Sequence, residues 1–222
     1  MSDAIPRSSR AAWKAAAIAV ALTAGCQNDI STPFPPGLEP LEDNVVPEQS
    51  GGPYLEQLRL MSVESPYFKV YARGYVLVAP GELWEAAKNP EANVATCTTS
   101  SHSVMANDQP QYEFSFLVHY VVNNILTVEW DDQWRFGKVE GAQAAPLLAV
   151  VKHQKIQGSD FINLSEGTIQ LSATDDPNVS ELAFVEHLHA IGGDVADVAK
   201  GVRRNYDALV SVAHNQPIPP CP

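Results

Sequence analysis

Residues 194–214, DVADVAKGVRRNYDALVSVAH, are the stretch that decides the predicted fold. Apolar side chains recur along it at helical spacing, which predicts one long amphipathic helix. Asp194 follows two glycines and is a good N-cap, and prolines from Pro217 onward end the helix. The apolar positions are Val195, Val198, Val202, Tyr206, Leu209 and Ala213. The helix therefore has one face that packs against the rest of the domain.

Upstream of this helix, apolar and polar side chains alternate with a period of two, which predicts an antiparallel run of five or more strands. An earlier strand at residues 67–78 is rich in aromatic and β-branched residues, and Pro80 ends it and opens a short helix. Residues 54–61 are expected to form a short helix or an irregular segment, and residues 94–110 a loop. The later strands are expected near 112–122, 125–130 with an extension of that hairpin at 134–139, 147–156, 161–173 and 179–190. Together these elements predict one α+β domain over residues 54–214.

The first 25 residues have the pattern of a secretory signal. Three basic residues precede the apolar run AAAIAVALT at 15–23, which is too short to span a bilayer. Residues 22–26, LTAGC, resemble the lipobox of bacterial lipoproteins, in which the cysteine, here Cys26, is acylated; Thr23 stands where that family usually has leucine. By the same resemblance, Gln27 implies sorting to the outer membrane, on its periplasmic face or at the cell surface. The alternative is an ordinary signal followed by a cysteine by chance.

Charge and composition divide the remainder of the chain. The 222 residues include 26 acidic and 14 basic side chains, a formal charge of −12, which opposes binding to phosphate backbones and predicts no nucleic-acid partner. Residues 26–53 contain six prolines and few large apolar side chains, which predicts a semi-rigid acidic tether that holds the domain off the membrane. Residues 215–222 are expected to form a Pro-rich C-terminal tail.

Residues 74–84, GYVLVAPGELW, resemble the opening of the START-like superfamily, also called SRPBCC or the Bet v 1-like helix-grip fold. In that superfamily the first strand runs into a proline and a helix that often carries tryptophan. Residues 166–171 and 181–189 resemble its final hairpin, and residues 194–214 resemble its gripping helix. The resemblance implies a curved antiparallel sheet wrapped around the long C-terminal helix, with an apolar cavity between them. It also implies a lipid, sterol, polyketide or other apolar ligand, whereas the superfamily shares no catalytic motif.

Six side chains are expected to contact such a ligand. Glu186 alternates with Phe184 and Leu188, so it shares their face of the strand, where its carboxylate would be desolvated. The alternatives for Glu186 are a strand end open to water or a structural partner for an arginine or lysine. The full expected set is Glu186, Phe184, Leu188, Tyr206, Trp84 and Phe116.

The sequence gives little indication of metal binding or catalysis. His187 and His189 project from the same side of a strand, but zinc needs three or four ligands, and His119 or His153 would have to supply the others through the tertiary structure. Asp131-Asp132 is predicted to form a turn. G-x-S-x-G and phosphate-binding G-x-x-x-x-G-K-[ST] motifs are absent from the sequence. We therefore expect no metal and no cofactor, and assign no catalytic residue.

The cysteines complete the predictions. With Cys26 assigned to lipid, Cys97 and Cys221 remain in an oxidising compartment, which predicts a disulfide between them; the alternative is two unpaired thiols.

The favoured function is a noncatalytic, membrane-anchored carrier or sensor of an apolar molecule. Two alternatives remain, a cyclase- or aromatase-type enzyme in which Glu186 is the first residue to test, and an envelope scaffold with an unspecified protein partner.

Overall fold

The computed structural model describes residues 28–94, 97–142 and 145–221. The predicted signal segment at 1–25 and the predicted lipidation site Cys26 lie outside the described residues. Within the residues that the structure describes, no helix is both long enough and apolar enough to cross a membrane. The strands are β1 (Asp29–Ser31), β2 (Leu58–Val63), β3 (Phe68–Val76), β4 (Ser101–Ala106), β5 (Phe114–Asn123), β6 (Thr127–Ala142), β7 (Ala145–Ser159), β8 (Ile162–Ala173) and β9 (Ser180–Ala190). The helices are α1 (Pro80–Ala87), α2 (Pro90–Asn93) and α3 (Val195–Ala213).

All nine strands belong to one antiparallel sheet. Its order is β2-β3-β9-β8-β7-β6-β5-β4, and β1 pairs with the end of β7. The first long strand, β3, therefore lies beside the last one, β9, so strands far apart in the sequence are neighbours in the sheet. The predicted α+β fold, a curved antiparallel sheet around a long C-terminal helix, is confirmed.

The hydrophobic core lies between α3 and one face of the sheet, which we call the inner face. Alternation in the sequence sets this face, because every second side chain of each strand points toward the helix. Val202, Tyr206 and Leu209 of α3 are buried in this core. The side chain of Asp194 accepts a hydrogen bond from the backbone N–H of Ala196 at 2.8 Å, which caps the helix as predicted and contributes about 1 kcal/mol.

Three local predictions were wrong. Residues 58–63 form the edge strand β2 rather than a short helix or irregular segment, and the predicted loop at 94–110 contains the other edge strand, β4. Asp131 and Asp132 lie within β6 rather than in a turn. A register shift between them against β7 marks a β-bulge, which places the Asp132 side chain in the buried interior.

The tether prediction was also wrong for residues 29–49, which we call the N-terminal strap. After β1, the rest of the strap crosses the opposite, outer face of the sheet instead of extending away from it. Arg135 donates from Nη1 to the carbonyl oxygens of Phe34 and Pro35, at 3.2 and 2.9 Å. Gln154 donates to the carbonyl of Pro33 at 2.8 Å. Prolines lack N–H donors but keep their carbonyls, so a Pro-rich segment binds well to a surface that presents side-chain donors.

Glu42 is the polar centre of the strap. Its carboxylate accepts hydrogen bonds from Lys69 Nζ at 2.8 Å, Tyr71 Oη at 2.6 Å and His187 Nε2 at 2.6 Å. Burial opposes ionisation of this carboxyl, but the three hydrogen bonds outweigh burial and lower the pKa of Glu42 to about 2. Because Lys69 and Tyr71 lie on β3 and His187 on β9, this one carboxylate joins the strap to two neighbouring strands of the sheet.

The C-terminal tail is fixed at its far end. Cys97 and Cys221, the two cysteines predicted to pair, form a disulfide with a Cα–Cα distance of 5.4 Å. Between α3 and this bond, Arg204 donates to the carbonyl of Pro219, and Ile218 packs against the hydrophobic core. The tail therefore closes over the segment that follows α2.

Candidate functional site

A cavity of about 250 Å³ lies between the inner face of the sheet and the N-terminal half of α3. Tyr120, Trp130 and Trp134 supply aromatic surface, and Gly201 and Val202 border it from the helix. The volume exceeds the roughly 150 Å³ that accommodates benzene and falls just below the roughly 300–1,000 Å³ of drug-sized sites. The cavity therefore suits a small molecule of one or two rings better than a long-chain lipid.

A row of paired residues crosses the sheet beside this cavity. Trp134 on β6 pairs with His153 on β7, which pairs with Gly167 on β8, which pairs with Glu186 on β9. Because Gly167 has no side chain, His153 Nε2 reaches across it to the Glu186 carboxylate, at 3.0 Å from Oε2 and 3.1 Å from Oε1. A Cβ atom at Gly167 would collide with both side chains. The glycine is thus the residue that permits this contact.

His153 also contacts a second carboxylate. Its Nδ1 lies 3.3 Å from Asp132 Oδ2, and its ring stacks on Trp134 with 4.2 Å between the ring centroids. Burial alone would lower the pKa of His153, but the carboxylates of Glu186 and Asp132 outweigh burial and raise it to about 10. Both ring nitrogens then donate hydrogen bonds, one to each carboxylate. We call these three side chains the Asp132–His153–Glu186 cluster.

The protonation state limits what this cluster can do chemically. A general base works best when its pKa lies near the operating pH. With a pKa of about 10, only about one His153 side chain in a thousand is unprotonated at pH 7. The imidazolium therefore holds two carboxylates in fixed positions at the cavity and is a poor base.

The rest of the polar lining includes a neutral phenol and several buried atoms without a partner. The Tyr120 ring stacks on Trp130 with 5.0 Å between centroids, and burial raises the pKa of Tyr120 well above its ordinary value, so the phenol stays protonated. Across the part of the chain that the structure describes, Asp132 Oδ1, Asn93 Oδ1 and Trp130 Nε1 are buried without a hydrogen-bond partner. Trp134 Nε1, from another residue of the cavity wall, is also buried without a partner among the described residues. Buried polar atoms usually have partners, so these two acceptors and two donors are among the polar atoms that a ligand would meet.

The structure divides the six predicted ligand contacts. Glu186 and Leu188 line the cavity. The other four belong to the packed core, so their prediction as ligand contacts is corrected. The indole of Trp84 donates to Glu113 Oε1 at 3.2 Å, and Tyr206 donates to the carbonyl of Tyr75. Phe184 is fully buried and Phe116 stacks on Trp134. The physical reason is that the cavity occupies only part of the inner face, and the other part is filled by these large side chains.

Several residues of the site were not predicted from the sequence. His153 was considered only as a metal ligand beside His187 and His189, but the ring of His187 lies on the outer face between Glu42 and Glu166. Asp132 was placed in a turn. A glycine in the interior of a strand marks a close approach of neighbouring groups, and Gly167 was the one available signal for the cluster.

No protein-family model matches this sequence, and no curated protein matches it significantly. Solved structures similar to the chain include the ZhuI aromatase/cyclase from a Streptomyces species, with 12% identity, 72% of this chain and 95% of that chain covered, and a TM-score of 0.46. The lipid transfer and protein localization domain of human StarD13 has 10% identity, 75% and 91% coverage and a TM-score of 0.46. A START superfamily protein from Mycobacterium smegmatis has 10% identity, 66% and 97% coverage and a TM-score of 0.45.

Proposed function

We propose that this protein binds a small hydrophobic molecule, without catalysis, in the cavity between the sheet and α3. The observation that carries this proposal is a cavity of about 250 Å³ with aromatic walls and a few fixed polar groups, which is the usual anatomy of a small-molecule site. The protonated state of His153 supports binding rather than proton transfer.

Binding of 2-naphthol, a neutral two-ring compound, tests this proposal. We expect calorimetry to show saturable binding at one site per chain. Gly201 faces open space on the cavity side of α3, so Gly201→Leu should fill the cavity and weaken binding at least about tenfold. Leucine is also a better helix former than glycine, so the variant should fold. Gly201→Ala is the matched control, because alanine also favours the helix more than glycine does but adds only one methyl group to the cavity.

Two results would contradict the proposal. A folded Gly201→Leu variant that binds 2-naphthol as tightly as the wild type would show that the compound binds elsewhere. The absence of 2-naphthol binding, together with native mass spectra free of any copurifying small molecule, would remove the binding function itself.

We also propose that the protein is a lipoprotein anchored to the outer membrane through acylated Cys26. The support is the sequence pattern at residues 15–26 and the identity of Gln27. Cys26→Ser is expected to abolish incorporation of radiolabelled palmitate and to move most of the protein from the membrane fraction to the soluble fraction. Unchanged labelling and fractionation in this variant would exclude Cys26 as the anchor.

A cyclase- or aromatase-type enzyme is the second candidate. One observation favours it, because the Glu186 carboxylate and the His153 imidazolium meet at the cavity, where a polar pair would be needed for such chemistry. The high pKa of His153 makes it a weak acid as well as a poor base, which is why binding is the preferred function.

A further inference from the structure

The charges around the cavity are predominantly negative. Asp132 and Glu186 border it from the sheet, and Asp197 borders it from the first turn of α3. Within residues 28–94, 97–142 and 145–221, no lysine or arginine lines it. His153 is the basic group that faces the two sheet carboxylates, since the ring nitrogens of His187 contact Glu42 and Glu166 on the outer face. Two lysines lie nearby without lining the cavity: Lys155 pairs in register with Asp132 and donates to the carbonyls of Ser159 and Ile162, and Lys200 donates to Asp197 Oδ1 at 2.9 Å. Among the side chains that line the cavity, three carboxylates therefore accompany one imidazolium.

The N-terminus of α3 does not reverse this balance. A helix N-terminus ordinarily attracts anions through its free N–H groups and its dipole. Here the Asp194 carboxylate already accepts the N–H of Ala196, and Asp197 adds a second carboxylate in the first turn. An anionic ligand would meet these carboxylates first.

Two buried acceptors at the cavity lack donors. Asp132 is 4% exposed; its Oδ2 accepts from His153, while its Oδ1 has no partner among the described residues. Asn93 is 6% exposed; its Nδ2 donates to the carbonyls of Ala87 and Asn89, while its Oδ1 is likewise without a partner in the described chain. A carboxylate or amide oxygen of this kind is completed by a donor, and a ligand carboxylate offers none. The indole N–H groups of Trp130 and Trp134, also without partners among the described residues, can donate to any ligand oxygen and so do not require a charged one.

The aromatic walls complement such a donor. Tyr120, Trp130 and Trp134 line the same cavity as the acceptors. The faces of aromatic rings attract cations, and tryptophan does so most strongly. A ligand ammonium group would thus find both an aromatic surface and unfilled carboxylate oxygen.

We propose that the cavity selects small ring compounds that carry an ammonium group, and that it discriminates against ring compounds that carry a carboxylate. This inference rests on the proposed function, because it names the ligand class of the same cavity. The residue that sets the preference is Asp132, whose Oδ1 would accept a hydrogen bond from the ammonium.

Three naphthalene probes of nearly equal size test the inference. They are 2-naphthylmethylamine, which is cationic at pH 7, neutral 2-naphthol and anionic 2-naphthoate. By calorimetry we expect the amine to bind roughly tenfold more tightly than 2-naphthol, and 2-naphthoate at least roughly tenfold more weakly. Asp132→Asn should reduce the amine-to-naphthol affinity ratio severalfold. Asp43→Asn makes the same change in net charge on the exposed outer side of the strap and should leave that ratio unchanged.

The outcomes separate the two proposals. Binding of 2-naphthoate as tight as that of the amine would overturn the inference and leave the proposed function in place. Failure of all three probes to bind would overturn the inference, and native mass spectra free of any copurifying small molecule would then overturn the proposed function as well. If Asp132→Asn does not fold, Glu186→Gln removes the other sheet carboxylate, and an unchanged affinity ratio in that folded variant would also overturn the inference.

Discussion

Replacement of Gly167 with alanine is expected to lower the free energy of unfolding by roughly 3 to 5 kcal/mol and to lower the pKa of His153. The added Cβ would occupy the space in which His153 and Glu186 now meet, so the two side chains would have to separate. Separation leaves a buried imidazolium with one carboxylate instead of two. Urea denaturation measures the stability, and NMR titration of the His153 ring measures the pKa.

The pH dependence separates the electrostatic part of this loss from the steric part. His153 has its pKa raised from an ordinary value of 6.5 to about 10, so its contribution to stability is fully present below pH 6.5 and is lost as the pH rises through about 10. The stability difference between wild type and Gly167→Ala should therefore be largest near pH 6 and smaller near pH 10.

Gly201→Ala is the matched control for Gly167→Ala. A Cβ at Gly201 contacts nothing within 4 Å, and the position is inside a helix, so this substitution should raise stability by about 0.5 to 1 kcal/mol. A Gly167→Ala variant as stable as the wild type, with the pKa of His153 still near 10, would show that the row of paired residues is not as described.

Replacement of both Cys97 and Cys221 with serine should lower the free energy of unfolding by about 4 kcal/mol. The disulfide joins residues separated by 124 positions, and chain-entropy arguments assign a loop of this size roughly 4 to 5 kcal/mol, with measured values commonly between 2 and 5. Urea denaturation without reductant checks the value, and wild-type protein unfolded in the presence of reductant is the control. Two titratable thiols in the denatured, unreduced mature protein would contradict the bond itself.

The double serine variant should also loosen the cavity rim. Thr98 and Thr99 line the cavity directly after Cys97, and the tail bonded there packs through Ile218 against the core. We expect faster amide exchange at residues 97–100 than in the wild type, with little change in the central strands.

The sequence allowed prediction of those parts of the fold that depend on local periodicity. Alternation along β5 and β9 and helical spacing along α3 are properties of single segments, and each predicted its element. The edge strands β2 and β4 are short and largely exposed, so they lack a strong apolar pattern. The strap was mispredicted because its composition favours an extended chain, whereas its position depends on donors such as Arg135, about 100 residues away in sequence.

Only part of the site could be predicted from the periodicity of the sequence. Period-two alternation correctly placed Glu186 on the inner face with Leu188. It gave no register between strands, and only the register of β7, β8 and β9 brings His153 across Gly167 to Glu186. Periodicity also does not show which inner-face residues are covered by the helix and which border the cavity. For this reason Phe184 was predicted as a ligand contact, although it lies in the core.

The position of β1 has a consequence for how the molecule would sit on a bilayer. Ile30 of β1 pairs with Gly158, and Gly158 pairs on its other side with Trp130, which lines the cavity. Asn28 follows Cys26 by two residues, at most about 7 Å of backbone. If Cys26 carries a lipid, as proposed, the short connection would keep the cavity end of the sheet close to the headgroups. The domain would then meet ligands close to the membrane surface. A domain on the extended tether that the sequence predicted would meet them farther from the bilayer.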